Sequence, residues 1–386
     1  MTAIRNEVSA EGTALEFSVR YGYQPTGVWS APGRVNLIGE HTDYNEGFVF
    51  PFAINRRTYA AVALREDGVC RVSSSFADEA VEVRFDAISR ESVAGWSAYP
   101  FGVAWALGAK SGFDIYIDSD VPVGAGLSSS AAIECAVAVA LNELWAAGFD
   151  KRELARIGQR AENEIVGAPT GIMDQSASLL GELDHAVFLD CRTLEARAEA
   201  LGFAAAGLEL VIIDTRVEHR HADGGYKSRR EACERGAATL GVSSLRDLSS
   251  ADLPRAAELL DDVTYRRVKH VITENERVLE TVKTLRERGP KAIGELLYAS
   301  HVSMRDDFEI SVDELDTAVE TSMRHGAIGA RMTGGGFGGA AIALMPIERI
   351  GELALAIEAE FETLGYAKPN TFVVSAAPGA HRETNY

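Results

Sequence analysis

The run Phe113-Asp-Ile-Tyr-Ile-Asp118 leads into Pro122-Val-Gly-Ala-Gly-Leu-Ser-Ser-Ser-Ala-Ala132, and that into the alanine-rich Ala131–Leu141. The first stretch has the short apolar character of a buried strand, and the last favours helix. Strand, glycine-serine loop and helix in that order put a turn directly ahead of a helix N-terminus. The turn leaves a row of backbone N–H groups without intrahelical partners, at the positive end of a helix dipole. Such a terminus receives phosphate. Gly124, Ala125, Gly126, Leu127, Ser128, Ser129, Ser130 and Ala131 are the candidate cradle. The pattern is not G-x-x-x-x-G-K-[ST], because no lysine follows the glycines. Nor is it the dinucleotide G-x-G-x-x-G, since Ser129 stands where the last glycine belongs. A serine before a helix is also an ordinary N-cap. Three consecutive serines after Gly-x-Gly exceed what a cap needs, so phosphate is the expected ligand.

Two other segments are dense in chemistry. Gly33 to Gly47 gathers Arg34, Glu40, His41, Asp43 and Glu46 within fifteen residues. Carboxylates beside an imidazole suit a small polyhydroxylated molecule, because each can bond neighbouring hydroxyls. A solvated turn is the competing reading, since Gly, Asn and Asp are common turn residues. Arg331-Met-Thr-Gly-Gly-Gly-Phe-Gly-Gly-Ala340 holds five glycines in six positions. That costs conformational entropy and implies either backbone packed tightly against something or a wide hairpin turn.

Those three segments, in this order, resemble the GHMP family of small-molecule kinases, and within it the galactokinase family. A fourth stretch, Gln159-Arg-Ala-Glu-Asn-Glu-Ile-Val-Gly-Ala-Pro-Thr-Gly-Ile-Met-Asp-Gln175, carries the Ala-Glu pair and the Gly-Ile-Met-Asp-Gln core seen there. The resemblance spans about Val28 to Ala380. It implies an α+β fold of two domains: an N-terminal domain like ribosomal protein S5 domain 2 and a C-terminal ferredoxin-like α/β domain, with the active site in the cleft between them. The expected division is 1–203 and 204–386. The implied activity is ATP-dependent phosphorylation of the anomeric hydroxyl of α-D-galactose, the first committed step of its catabolism by the Leloir pathway. Asp174 is the expected base or orienting group, although an Asp at the start of a helix is also an ordinary cap. Arg34 is the expected electrostatic partner. Ser130 and Glu162 match positions that the family uses for Mg²⁺. Glu40, His41, Asp43, the Gly171 backbone and Tyr226 match its sugar contacts, and Trp96 and Tyr99 an aromatic stretch flanking adenine.

The sequence departs from the family pattern at Thr170 (usually cysteine), Asn163 (commonly histidine), Lys227 (commonly asparagine) and Ala98 (frequently asparagine). None of these removes a charge that phosphoryl transfer needs. Two alternatives stay open. One is a kinase of the same fold acting on another sugar, or on an alcohol such as mevalonate or homoserine. The other is a sensor that binds sugar and ATP without turnover. Glu40-His-Thr-Asp-Tyr44 argues against the non-sugar alcohols, and the intact Ser130-Ala-Ala132 with Arg34 and Asp174 argues for an enzyme.

Bulk properties fit this reading. A chain of 386 residues is long enough for two domains. A formal charge of −19 argues against nucleic acid and anionic membranes as partners. Bound nucleotide would therefore need local positive potential, from Mg²⁺, amides and a few basic residues. Four scattered cysteines without metal spacing read as reduced thiols. No secretory leader or membrane-spanning run is visible, so a cytoplasmic enzyme is expected, acting as a monomer or weak homo-oligomer. Periodicity predicts strands at Arg57–Leu64, Val69–Phe76, Val81–Phe85, Ala186–Leu189, Leu208–Ile213, Ala340–Leu344 and Thr371–Ala376. It predicts helices at Ala98–Ala109, Ser130–Ala147, Lys151–Ile165 and Glu348–Leu364, and a helical stripe from Val268 to Leu285. Arg192–Gly207, polar and rich in alanine, reads as a junction.

Overall fold

The computed structural model of the chain describes residues 8–217 and 222–384. Its first half is built on a six-stranded sheet. The strand order is His381–Arg382, Gly27–Asn36, Pro51–Arg65, Gly112–Ser119, Val69–Ser74 and Ala77–Arg84. Neighbours are antiparallel except Val69–Ser74, which runs parallel to Gly112–Ser119. Alternation decides what each face covers. Trp29, Ala60, Val62, Ile115 and Ile117 point into a core shared with the helices Ala98–Ala106, Ser129–Leu144, Lys151–Ala161 and Met173–Leu180. Val28, Ala61, Ala63 and Tyr116 point the other way, against Phe17 and Ala14 of the helix Ala10–Tyr21.

The second half centres on a four-stranded antiparallel sheet ordered Gly329–Thr333, Ala340–Pro346, Leu208–Asp214, Asn370–Val374. Both faces are buried, which is why Leu210–Ile213 reads as an unbroken apolar run. Val211, Ile213, Ala341 and Ala343 pack on the helices Ala222–Leu240, Asp262–Arg288, Asp313–Arg324 and Ile350–Leu364. Leu210, Ile212, Ile342 and Leu344 pack instead with Val35, Leu37, Phe50 and Phe52 from the first half. One core therefore joins the two halves. The chain end returns to the first sheet, where Arg382 pairs with Trp29.

The predicted elements are present, shifted by up to six residues at their ends, with Lys151–Ile165 ending as a π-helical turn after Ala161. Arg192–Gly207 differs: it contains the strand Glu195–Ala200, paired with His185–Asp190 in a third, three-stranded sheet. Its charged side chains hide the strand, which is held by its backbone pairing, by the ion pair of Glu199 with Arg286 and by Arg197 over the Phe188 ring. The segment opening at Gly33 is likewise not a solvated loop. Gly33–Asn36 closes a ten-residue strand that is buried throughout.

Candidate active site

Arg34 lies just past a register shift in its strand, between Pro32 and Arg34. Gly33 allows that irregularity: a Cβ there would stand 2.7 Å from the Leu127 carbonyl oxygen. The Arg34 N–H donates to the same oxygen at 3.0 Å, tying the strand to the glycine-serine loop. The Arg34 side chain, 4% exposed, donates from Nε to Asp174 Oδ1 and from Nη2 to Asp174 Oδ2, both at 2.9 Å. Its Nη1 donates to the Gly126 carbonyl at 2.6 Å. This fork geometry is available to arginine and not to lysine. Asp174 sits in the first turn of Met173–Leu180, the place expected of a cap. It caps nothing; the cap position there is Ile172, with no side-chain bond.

Ser128 precedes the helix Ser129–Leu144 and stands in the left-handed region, at φ 57°. An N-cap serine normally has extended backbone and accepts from an amide of the first turn. Here no such bond forms. The Ser128 hydroxyl donates to Asp174 Oδ2 at 2.5 Å. The start of the helix and the loop before it line a cavity of about 420 Å³, whose walls include Gly124, Gly126, Leu127, Ser128, Ser129 and Ser130. Ala125 and Ala131 are buried behind it. Gly334, Gly335 and Gly336 form part of the same walls. A Cβ on Gly334 would lie 3.1 Å from the Gly126 carbonyl oxygen, and one on Gly336 2.5 Å from that of Ile310. The glycine run is thus packed tightly, and the phosphate loop is one of the things it packs against.

The Gly33–Gly47 segment lines the same cavity through Arg34, Glu40, His41 and Asp43. Asp43 accepts from the Tyr44 N–H at 2.9 Å and lies half-buried against Gly171. Burial first, and the charge of Asp174 second, push its carboxyl up to about 6. A Cβ on Gly171 would stand only 1.7 Å from an Asp43 carboxylate oxygen. Gly171→Ala is therefore expected to displace Asp43 and weaken a ligand bound against it about tenfold or more, the equivalent of about 1.4 kcal/mol. Binding at the glycine-serine loop should hold, and titrating the expected acceptor and the expected nucleotide in turn would read the split. Glu40, 1% exposed, receives four protein donors: the Gly334 N–H at 2.9 Å, Thr333 Oγ1 at 3.2 Å, Asn36 Nδ2 at 2.7 Å and Arg331 Nη2. His41 bonds the Tyr44 hydroxyl through Nδ1 at 2.8 Å and the Gly335 carbonyl through Nε2 at 3.1 Å. Burial lowers its imidazole to about 3, so it is neutral and donates to Gly335 from Nε2. Tyr226 packs on the His41 ring, 4.9 Å between centroids, and lines the cavity.

Glu162 and Ser130 meet at the cavity's edge. Glu162 opens a π-helical turn, Glu162–Val166, which continues the helix Lys151–Ala161. Such turns recur at functional sites. Its Oε2 accepts from Thr170 Oγ1 at 2.8 Å and Gln175 Nε2 at 2.9 Å. Burial, then the charge of Asp174, raises its carboxyl to about 7, against bonds from Thr170, Gln175 and Ser130. Among the described residues no three His, Cys, Asp or Glu side chains converge as a metal cage. A single carboxylate and a hydroxyl beside a phosphate cradle is the donor set that Mg²⁺ uses when nucleotide supplies the remaining oxygens. The residues fit that ion.

Tyr99 lines the cavity. Trp96 is outside its lining, with its ring edge-on to Phe76 at 5.3 Å. Thr170, Met173, Pro122, Val123 and the three glycines 334–336 lie within the sequence motifs without being singled out as contacts, and all line the site. The signal for the glycines lies in their density. Thr170 stands out in the sequence only as a departure, and its hydroxyl on Glu162 gives it a role.

Known proteins carry the same features in the same order. Residues 15–64 match the galactokinase galactose-binding signature, 98–182 the GHMP kinases N terminal domain, and 281–363 the GHMP kinases C terminal domain. The galactokinase of Streptomyces coelicolor is 49% identical over 379 residues, covering 96% of this chain and 98% of that protein. The galactokinase of Mycobacterium bovis is 44% identical, covering 91% and 98%. The crystal structure of Lactococcus lactis galactokinase complexed with galactose superimposes with a TM-score of 0.91 at 32% identity, covering 97% of this chain and 99% of that one. A mevalonate kinase from Methanococcus jannaschii shares the fold, with a TM-score of 0.64 at 18% identity. Signature, extended identity and superposition agree, and this chain is a kinase that belongs to the galactokinase family of GHMP kinases.

Proposed function

We propose that the protein transfers the γ-phosphoryl group of ATP to the anomeric hydroxyl of α-D-galactose, giving galactose 1-phosphate and ADP, the entry step of galactose catabolism. The observation that carries this reading is the Arg34–Asp174 pair. It lines one cavity together with an open helix N-terminus, Asp43, Gly171 and Tyr226. The Lactococcus lactis galactokinase that superimposes on this chain is complexed with galactose, which supports the sugar assignment.

The sugar lies against Gly171 and Tyr226, with Asp43 accepting from its hydroxyls. Glu40 and His41 border the same space and reach a hydroxyl by exchanging one of their present partners. Asp174 orients the anomeric hydroxyl and takes its proton. The new bond joins that oxygen to the γ-phosphorus as the bond to the ADP oxygen breaks, and the departing charge stays on ADP. Arg34 holds Asp174 and lies close enough to the transferring group to offset its charge. The amides of Gly124–Ala131 hold the phosphates, and Tyr99, the one of the two expected aromatics that lines the cavity, flanks the base. Ser130 and Glu162 would hold Mg²⁺, which supplies charge neutralisation on the phosphate oxygens when bound. We place the domain boundary near residue 203 and expect the enzyme in the cytoplasm.

ADP release should be measured with galactose, glucose, N-acetylgalactosamine, arabinose and mevalonate, and the product mapped by NMR. Turnover with galactose alone, at O1, is the expected result. Turnover only with another acceptor would sink the sugar assignment while leaving the family intact.

The raised carboxyl of Glu162 gives a pH dependence. A proton on Glu162 competes with the metal, and below about 7 the proton is favoured. Affinity for Mg²⁺ with a non-hydrolysable ATP analogue is expected to rise from about pH 6 to about pH 8, and to rise less steeply in Glu162→Gln, where only the analogue's terminal phosphate titrates. Calorimetric titration at each pH reads it. Equal slopes in wild type and variant would remove Glu162 as a ligand.

A further inference from the structure

Ser128 stands among the residues expected to hold phosphate, but its hydroxyl points elsewhere. Its backbone, φ 57° and ψ 51°, is left-handed, a conformation that costs a residue with a side chain on the order of 1 kcal/mol. Strain of this kind persists where surrounding structure imposes it, and such positions gather at working sites. The turn leaves the first-turn amides without a side-chain cap. It also lets the hydroxyl donate to Asp174 Oδ2 at 2.5 Å. Arg34 Nη2 reaches that same oxygen at 2.9 Å, and Arg34 Nε takes Oδ1. Nη2 lies 2.8 Å from Oδ1 as well, but the N–H it donates is directed at Oδ2. Oδ2 thus carries two donors. The acceptor position still open on this carboxylate is on Oδ1.

We propose that Ser128 is a positioning residue for Asp174. Its left-handed turn clears the helix amides for phosphate and occupies Oδ2, so that the acceptor hydroxyl is received by Oδ1. A serine hydroxyl on phosphate would show in ATP affinity. A serine hydroxyl on Asp174 shows in kcat. The proposal rests on the reading of Asp174 given above, and its test separates the two.

Glycine adopts φ near +57° without penalty, so Ser128→Gly removes the hydroxyl and relieves the strain together. Its melting temperature should equal or exceed that of the wild type. Its kcat should nonetheless fall ~10- to 100-fold, the range of a hydrogen bond to a charged group, with KM for ATP and for galactose within about twofold. Ser128→Ala should lose kcat similarly and melt lower. In an Asp174→Asn background Ser128→Gly should cost nothing further, because the two residues act as one unit. Wild-type kcat in Ser128→Gly, when Asp174→Asn is inactive, would overturn this proposal alone. A raised KM for ATP at unchanged kcat would return the hydroxyl to the phosphate and overturn it too, as would losses that multiply in the double variant. Normal turnover in Asp174→Asn would overturn the reading of Asp174, and this proposal with it.

Discussion

Asp174→Ala is expected to lower kcat by more than ~100-fold, the scale on which removing a positioned acid–base group acts. The substitution takes away the carboxylate that Arg34 grips, and Arg34 is almost fully buried. An unpaired buried guanidinium would itself cost stability. The Gly126 carbonyl remains its partner at 2.6 Å, and the cavity admits water beside it, so the fold should survive. Asp174→Asn separates the two effects. It keeps the shape and one acceptor oxygen for Arg34, and it cannot accept the proton. Both variants should therefore lose turnover, with Asn the more stable of the two by thermal melting. Either one turning over near the wild-type rate, with a cooperative melt, would show that the sugar hydroxyl needs no carboxylate at this position.

How far the fold and the site are legible in the sequence depends on where the signal lies. The strand-loop-helix around Gly124–Ser130 is legible because its cause is local: apolar residues, glycines and serines at fixed offsets. The fold class follows from that unit and from the ordered motifs. The strand Glu195–Ala200 is not legible. It alternates charged and small residues, and only its pairing with His185–Asp190 makes it a strand. The ten-residue strand ending at Asn36 is concealed by Pro32 and Gly33, which announce a turn and instead mark a register shift. At the site, the residue types are readable and their partners are not. Nothing in Glu40 or His41 says that a glycine run 294 residues downstream supplies their bonds. Ser128 shows the limit most plainly. A serine at a helix start predicts a cap, and only the observed backbone turn reveals that it serves Asp174.

Arg331→Met should destabilise the protein by about 3–5 kcal/mol, the cost of breaking a buried ion pair from one side. Arg331 is fully buried. It donates to the Leu37 carbonyl at 2.9 Å, the Asn36 carbonyl at 3.2 Å and Glu40 Oε2. These three contacts reach from the four-stranded sheet to the end of the strand that carries Arg34. Burial already raises the Glu40 carboxyl above its usual range, and Arg331 is the chief influence opposing that shift. Without Arg331, Glu40 takes up a proton. A carboxyl raised further in the folded state favours folding at low pH and loses that contribution as pH rises. The penalty should accordingly be smaller at about pH 5 than at about pH 8, as urea unfolding at both values would read. Glu40→Gln in the same chain should recover part of the loss, since the two residues couple. Equal penalties at the two pH values, with no recovery in the double variant, would mean that packing alone accounts for Arg331. The expected outcome ties stability to the site. Glu40 also receives the Gly334 amide and Thr333, so the ion pair that joins the two halves holds the glycine run against the phosphate loop.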